Sequence, residues 1–158
     1  MSIALWDGNT PVLGVVNRYH SNEMFEGMIG NGAFLNGEEI HTSSVKEMKD
    51  GVMATGFPLK RDYSSEGLST FIRTVQQFKK TRMLGAAALM GAFVANGRTD
   101  AYTEDGIMLW DIAAASAIVS AAGGIVNNIC KGGDMYKCEL FANEFLYDNY
   151  CSMKIADM

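Results

Sequence analysis

The stretch TEDGIMLWDIAAASAIVSAAGG, residues Thr103–Gly124, carries the strongest pattern in this 158-residue sequence. Trp110 and Asp111 introduce a segment built almost wholly of Ala, Ile, Val and Ser, and a Gly-Gly pair follows it. The pattern predicts a helix over Ile112–Ala122, because glycine readily adopts the left-handed conformation that ends helices. The preceding TDAYTED predicts a strand.

Three carboxylates, Glu104, Asp105 and Asp111, lie close together here with no Lys or Arg among them. Asp111 has two interpretations. As a helix N-cap it would accept amide hydrogens of the first turn, which is worth about 1 kcal/mol. As a ligand of Mg²⁺ it would supply the carboxylate oxygen that this ion prefers alongside water and substrate phosphate. The cap alone does not explain the neighbouring carboxylates or the bulky Trp110, and one Asp at a helix start can serve both purposes.

The residues before this stretch divide into two parts of a single domain, 1–158. In 1–45, apolar segments alternate with Asp7-Gly8, Asn31-Gly32 and Asn36-Gly37, which favour tight hairpin turns, so we predict an antiparallel meander.

In 46–158, strand and helix patterns alternate, which indicates an α/β fold with a sheet covered by helices. Ser65 is a candidate cap for the first helix. The strand segments are GVMATGF, TRMLG, TDAYTED and GIVNNI, and the other helix segments are SSEGLSTFIRTVQQFKK and AAALMGAFVANGR.

Composition excludes several classes of function. The net charge of −5 and pI near 5.0 leave no basic stripe for nucleic acid. The longest apolar run, Leu84–Ala95, is shorter than the ~20 residues that a bilayer requires, and the first residues lack a signal-peptide pattern. Cys130, Cys138 and Cys151 are odd in number and form no C-x-x-C pair, which indicates structural thiols in a reducing compartment. We therefore expect a soluble cytoplasmic protein with no membrane partner.

The segment WDIAAASAIVSAAGG resembles the C-terminal signature of the inositol monophosphatase family. Four other stretches agree with that family in order and spacing: PVLGVV, GNGAFLNGEEI, TGFP and TRMLGAAALMGAFVANGRTDAYTED. The resemblance extends from about Ser2 to the region of Asn143. It implies a layered αβαβα architecture and a Mg²⁺-dependent phosphomonoesterase that acts on inositol, sugar or nucleotide phosphates.

The resemblance also assigns roles. Asp111 matches the aspartate that binds the catalytic metal and holds the attacking water. Glu104 matches a carboxylate that hydrogen-bonds substrate hydroxyls, and the turn of Gly85, Ala86 and Ala87 matches a backbone contact to the sugar-like part of the substrate. Ala86 stands where many relatives carry Ser or Thr, which bears on substrate preference.

One motif of the family has no counterpart in this sequence. The Asp-Pro-Ile/Leu-Asp-Gly-Thr motif, which supplies further metal-binding aspartates, lies upstream of the segment resembling SIALWDGNTPVLGVV. Asp7-Gly8-Asn9-Thr10 mimics its last residues but falls where a hairpin turn is expected. We therefore expect a truncated domain with weak Mg²⁺ binding and poor phosphatase activity, because two-ion hydrolysis needs several oxygen ligands for each ion.

Two alternatives to an active phosphatase follow: a non-catalytic remnant, or the C-terminal half of a split enzyme. In either case an apolar sheet face and a sheet edge would be left uncovered. We expect a homo-oligomer, or association with a missing N-terminal half.

Overall fold

Two five-stranded sheets and four helices make up the part of the computed structural model that is described, residues 1–57 and 62–156. The strands are β1 (Ser2–Asp7), β2 (Thr10–Arg18), β3 (Glu23–Met28), β4 (Gly32–Leu35), β5 (Glu38–Ile40), β6 (Val52–Thr55), β7 (Lys80–Arg82), β8 (Ala101–Met108), β9 (Ile125–Gly132) and β10 (Met135–Phe141). The helices are α1 (Ser65–Gln76), α2 (Ala87–Ala95), α3 (Leu109–Ala121) and α4 (Glu144–Ala156). Pro58, the last residue of the TGFP stretch, lies outside the described residues.

The first sheet confirms the predicted meander. Its order is β1-β2-β3-β4-β5, and each strand pairs antiparallel with the next. Asn36 and Gly37 connect the last two strands with φ angles of 52° and 83°. Two consecutive positive φ angles define the tight turn for which Asn-Gly is favoured, so the local sequence determines this hairpin.

The second sheet is mixed, with the order β7-β6-β8-β10-β9. The strand β6 pairs in parallel with β7 and β8, whereas β10 pairs antiparallel with β8 and β9. The sequence interpretation included neither β10 nor α4, which therefore add a hairpin partner and a covering helix to the predicted α/β part.

The helices α2 and α3 lie between the two sheets, and glycines allow the close packing. A Cβ atom on Gly14 of β2 would lie 2.1 Å from the carbonyl oxygen of Ala114, and one on Gly91 of α2 would lie 2.5 Å from Cβ of Ala115. Trp6 also joins sheet and helix, since its Nε1 donates to the carbonyl oxygen of Ala113 at 3.2 Å. The small residues of α3 thus form the centre of the main core.

The helices α1 and α4 cover the opposite face of the mixed sheet, where a second core contains Met53, Phe141 and Leu146. The helix α1 begins after Ser64, whose Oγ accepts a hydrogen bond from the amide of Gly67 at 3.1 Å. The predicted cap at Ser65 is therefore wrong by one residue, because Ser64 keeps the extended ψ of 160° that a cap requires.

The described layers follow the order sheet, helices, sheet, helices, and no described helix covers the outer side of the first sheet. We call this side the outer apolar face: it contains Ile3, Leu5, Leu13 and Met28. Ile3 and Leu5 on the edge strand are 53% and 58% exposed. The expected αβαβα arrangement is thus present except for one outer helical layer. Within the described ranges, no helix has the length and apolar character needed to cross a bilayer.

Candidate functional site

The residues predicted for the site surround one cavity of about 310 Å³, which we call the first cavity. Its walls come from the segment after β6, the turn before α2, the strand β8 and the first turn of α3. The lining residues are Gly56, Phe57, Gly85, Ala86, Ala87, Met90, Glu104, Ile107 and Asp111. The fold therefore brings together five residues that are up to 26 positions apart in the sequence.

Asp111 is the third residue of α3, and its position contradicts the N-cap interpretation. The helix begins at Leu109, three residues earlier than predicted, and Met108 occupies the cap position in an extended conformation. The difference arises because β8 runs directly into the helix, so that Leu109 and Trp110 are already helical. A carboxylate in the first turn is still favoured there by the partial positive charge of the helix start.

Glu104 is buried in the wall of the first cavity. Tyr102, two residues earlier on β8, donates a hydrogen bond from its hydroxyl to Oε2 of Glu104 at 2.6 Å. Burial raises the pKa of Tyr102, and the nearby Cys138 and Glu104 add to this effect, so the hydroxyl stays protonated as a donor. A Cβ on Gly56 would lie 2.3 Å from the same carboxylate oxygen. Glycine at this position therefore makes room for the carboxylate.

The turn of Gly85, Ala86 and Ala87 leads into α2. Gly85 has a φ of 71°, a conformation that favours glycine, and the cap position is Ala86, which has no side-chain acceptor. The first amide groups of α2 are thus left for other acceptors. Amides at a helix start suit an oxygen-rich ligand.

Asp105, which lies close to Glu104 and Asp111 in the sequence, does not line the first cavity. Its Oδ2 lies 3.7 Å from Nζ of Lys131 on β9. Glu104 and Asp111 remain as the two carboxylates facing that cavity. Among the described residues, no three side chains of Cys, His, Asp or Glu are arranged to hold a metal ion.

Two carboxylates fit a magnesium site only in part. They offer the hard oxygen donors that Mg²⁺ prefers, and the ion normally completes its coordination with water and substrate phosphate. The pair suits one ion held with such additional oxygens. It does not suit two ions, each of which needs several protein ligands.

A second cavity has a volume of about 320 Å³, and Glu104 of β8 belongs to the lining of both cavities. It lies between α1, α4 and the mixed sheet, and Asp105, Lys137 and Lys154 also line it. The sequence interpretation missed these two lysines. They lie on β10 and α4, the elements that it did not include, and no spacing pattern marks them.

The two lysines are held by Glu139, which is 2% exposed. Lys137 Nζ lies 2.8 Å from Oε1 of Glu139, and Lys154 donates to the same oxygen. Asn127 donates to Oε2 at 2.7 Å, and the Tyr150 hydroxyl donates to Oε1 at 3.2 Å. Burial alone would raise the pKa of Glu139, but the hydrogen bonds from both lysines outweigh it and lower the pKa. Glu139 therefore remains charged and fixes both ammonium groups.

Comparison with known proteins places this architecture in a family. The sequence matches the model of the inositol monophosphatase family over residues 1–150. The chain belongs to the inositol monophosphatase family. The predicted relationship is thereby confirmed, together with the layered α/β fold.

Individual members of the inositol monophosphatase family show how far the likeness extends. The chain is 38% identical to "Nus factor SuhB" of Xylella fastidiosa over 135 residues, which are 85% of this chain and 49% of that protein. It is 34% identical to "Inositol-1-monophosphatase" of Mesorhizobium japonicum over 136 residues, 85% of this chain and 51% of that protein. The chain thus spans about half the length of these curated relatives.

Solved structures of the family superpose closely. The inositol monophosphatase from Anabaena sp. PCC 7120 matches with a TM-score of 0.87 at 28% identity, covering 98% of this chain and 64% of that chain. SuhB of Mycobacterium tuberculosis matches with a TM-score of 0.83 at 27% identity, covering 96% of this chain and 61% of that chain. The fold of this chain is therefore that of an inositol monophosphatase over nearly all of its length.

Proposed function

We propose that the protein takes part in Mg²⁺-dependent hydrolysis of a phosphomonoester, either an inositol phosphate or a related sugar or nucleotide phosphate. The observation that carries this proposal is the first cavity, which joins Glu104, Asp111 and the start of α2 in one space of ligand size. Membership of the inositol monophosphatase family supports the reaction class.

Each group has a role in this proposal. Asp111 would hold the magnesium ion and orient the attacking water, and Glu104 would accept a hydrogen bond from a substrate hydroxyl. The backbone of Gly85, Ala86 and Ala87 would contact the sugar-like part. When bound, the ion would supply positive charge against the phosphoryl oxygens. The hydrogen bond from Tyr102 would hold the Glu104 carboxylate in a fixed direction.

We further propose that this activity is weak in the 158-residue chain alone. Two carboxylates in the first cavity leave a magnesium ion dependent on water and substrate for most of its coordination. Binding should therefore be weaker than at a site with several protein ligands.

A second candidate function is supported by the outer apolar face. The chain could act as a non-catalytic binding module, or as the C-terminal half of a split enzyme. Exposed apolar patches of this kind commonly mark protein interaction sites. In both cases the partner would cover Ile3 and Leu5, and it would be a second copy of the chain or a polypeptide supplying an N-terminal half.

We also propose a cytoplasmic location. Cys130, Cys138 and Cys151 are free thiols in the structure, and burial together with nearby Glu104 and Glu139 raises the pKa of the Cys138 thiol. Free cysteines are typical of reducing compartments.

The test is Mg²⁺-dependent release of phosphate from inositol 1-phosphate and from fructose 1,6-bisphosphate. Asp111→Asn should abolish release, and Asp148→Asn, which alters an exposed aspartate on α4, should leave it unchanged. Release that persists in Asp111→Asn would show that Asp111 holds no catalytic ion. If no protein exceeds background, the binding-module function is favoured for this chain.

A further inference from the structure

We propose that Lys154 is a nucleophilic lysine that binds a small hydroxyl-bearing aldehyde as an imine in the second cavity. This cavity lies between α1, α4 and the mixed sheet, on the side of the sheet that faces away from α2 and α3. The site is therefore separate from the first cavity, and the inference does not depend on the proposed function. It specifies a class of ligand: neutral carbonyl compounds that carry hydroxyl groups.

The first argument is that two lysines share one carboxylate oxygen. Nζ of Lys137 lies 2.8 Å from Oε1 of Glu139, and Nζ of Lys154 donates to the same atom. Glu139 is buried, and the side chains of Lys137 and Lys154 are 22% and 32% exposed. One negative charge neutralises only one of the two positive charges, so the second ammonium group is an excess charge in a partly desolvated site. The cluster therefore favours loss of a proton from one lysine.

Lys154 is the lysine that loses its proton more readily. Burial and the neighbouring Lys137 lower the pKa of Lys154 to about 8, although Glu139 acts in the opposite direction. Burial alone would also lower the pKa of Lys137, but the hydrogen bond to Glu139 outweighs it and raises that pKa. A pKa of about 8 leaves about a tenth of the Lys154 side chains neutral at pH 7, against fewer than about one in a thousand for an ordinary lysine. The neutral amine is the form that attacks a carbonyl carbon.

The groups around Lys154 include an aromatic ring and several carboxylates. Nζ lies 3.9 Å from the centroid of the Tyr150 ring, which keeps water from that side of the amine. Burial raises the pKa of Tyr150, whose hydroxyl donates to Glu139 and stays uncharged. The ring attracts an ammonium group, but burial and Lys137 still place the pKa of Lys154 below its ordinary value. Of the described residues, the other carboxylates that line the cavity on this side of the sheet are Asp62, Glu66 and Asp105.

The second argument is the space beside Lys154 and the chemistry of its walls. The volume of about 320 Å³ lies at the lower end of the usual range for small-molecule sites, about 300–1,000 Å³. Asp62, Glu66 and Asp105 can accept hydrogen bonds from ligand hydroxyls, and Thr70 can donate or accept. The same carboxylates repel an anionic ligand. A neutral aldehyde that carries hydroxyl groups therefore matches the cavity.

Imine formation at Lys154 needs only the aldehyde and protons. The neutral Nζ attacks the carbonyl carbon, a C–N bond forms, and the π electron pair of the carbonyl moves to oxygen. This oxygen takes a proton from Lys137 and the attached nitrogen returns one, which gives a neutral carbinolamine. A proton from solvent then lets the hydroxyl leave as water, and the nitrogen electron pair forms the C=N bond of a protonated imine. The positive imine remains next to Glu139, which stabilises it as it stabilised the ammonium group.

The test treats the 158-residue chain with glyceraldehyde and sodium cyanoborohydride, which reduces the imine to a stable secondary amine. Peptide mass spectrometry measures the rate at each lysine, and exposed Lys49 is the internal reference. At pH 7 we expect Lys154 to react about tenfold faster than Lys49, because a less basic amine is a weaker nucleophile and this offsets part of its larger neutral fraction. The ratio of the two rates should fall between pH 7 and pH 10, because Lys154 is already mostly neutral above about pH 8.

Lys137→Met tests the cause of this reactivity. It removes the neighbouring ammonium group but retains the length of the side chain, so the pKa of Lys154 should rise. The rate at Lys154 should then fall about tenfold at pH 7. The matched control is Lys80→Met, at an exposed lysine of β7 that does not line the cavity, and it should leave the rate at Lys154 unchanged.

The outcomes decide each part of the proposal. Faster reaction at Lys49 than at Lys154 overturns it, since rates would then follow exposure, and preferential reaction at Lys137 also overturns it. Propanal, which has the same carbon skeleton without hydroxyls, should give a lower ratio of Lys154 to Lys49 than glyceraldehyde does. Equal ratios overturn the assigned class of ligand.

The proposal stays testable if Lys137→Met does not fold, judged by circular dichroism. The comparison of lysines in the unsubstituted chain and the pH dependence of their ratio then decide it. None of these measurements requires phosphatase activity, so failure of this proposal leaves the proposed function intact, and failure of the proposed function leaves this one intact.

Discussion

Tyr102 and Glu104 lie two residues apart on β8, and the tyrosine hydroxyl donates a 2.6 Å hydrogen bond to the glutamate. Residues i and i+2 of a strand share one face, so the strand itself brings these side chains together. Both residues are buried. The bond therefore sets the direction of a carboxylate that lines the first cavity.

Replacing Tyr102 by Phe tests the contribution of this bond. The ring is retained and only the donor is lost, so we expect the free energy of unfolding to fall by about 1.5–3 kcal/mol, the range for hydrogen bonds to charged groups. Urea denaturation measures the change. Tyr19→Phe is the control because Tyr19 is exposed. Equal denaturation midpoints for Tyr102→Phe and the unsubstituted protein would contradict the prediction.

Gly14 determines how closely α3 approaches the first sheet. In Gly14→Ala the new Cβ would lie 2.1 Å from the carbonyl oxygen of Ala114, a backbone atom that cannot move without shifting the helix. We expect destabilisation of more than about 3 kcal/mol or failure to fold, which exceeds the usual effect of overpacking. Circular dichroism and thermal unfolding measure this outcome.

The control for that substitution is Gly51→Ala, where the nearest atoms to a new Cβ are 3.5 Å away and φ is −88°. The new Cβ would make ordinary van der Waals contacts, and the backbone conformation of this position is permitted for alanine. We therefore expect the free energy of unfolding to change by no more than about 1 kcal/mol. If both variants are equally stable, the contact between α3 and β2 is not limited by the missing Cβ.

The lysine–glutamate cluster predicts a specific dependence of stability on pH. The pKa of Glu139 in the folded protein lies below its ordinary value of 4.5. The unfolded chain therefore binds this proton more tightly, and the stabilisation is fully present above pH 4.5. It is lost as the pH falls through the lower folded pKa.

Glu139→Gln removes this titration, so we expect the stability to decrease less steeply as the pH falls. We also expect lower stability at neutral pH, because the two lysines lose the anion that they share. Urea denaturation at a series of pH values measures both effects. Glu38→Gln, at an exposed glutamate, should retain the acid dependence of the unsubstituted protein. If the stability of Glu139→Gln still falls steeply in acid, groups other than Glu139 cause that pH dependence.

The outer apolar face predicts self-association. A double substitution, Ile3→Lys with Leu5→Lys, should lower the weight-average mass measured by light scattering, because it places charges on an exposed apolar edge strand. Ile72→Lys is the control, since Ile72 on α1 is 48% exposed but lies on another surface. A monomeric mass for the unsubstituted chain at tens of micromolar would refute association between copies.

The sequence predicted those features that depend on local pattern. The hairpin at Asn36 and Gly37 follows from their backbone preferences. The helix that carries Asp111 was recognised by its composition, although its start was placed three residues late. Its first residues, Leu109 and Trp110, are apolar and carry no capping signal, so the boundary depends on where β8 ends.

The second cavity could not be predicted in the same way. Glu139, Lys137 and Lys154 meet because β10 pairs with β8 and α4 packs behind it. That pairing is a long-range property of the sheet, and β10 shows no clean alternation of polar and apolar residues. The resemblance to the family assigned roles only at the first cavity, so nothing in the sequence directed attention to the lysines.

The bond from Trp6 to Ala113 gives the protein an intrinsic optical reporter. The chain has two tryptophans, and both indoles border one cavity of about 340 Å³ between β1 and α3. Trp110 is 61% exposed, whereas Trp6 is half-buried and hydrogen-bonded. If β1 separates from α3, Trp6 enters water and its fluorescence emission shifts to longer wavelength. Unlabelled protein can therefore report, in real time, whether its edge strand remains attached while a partner approaches.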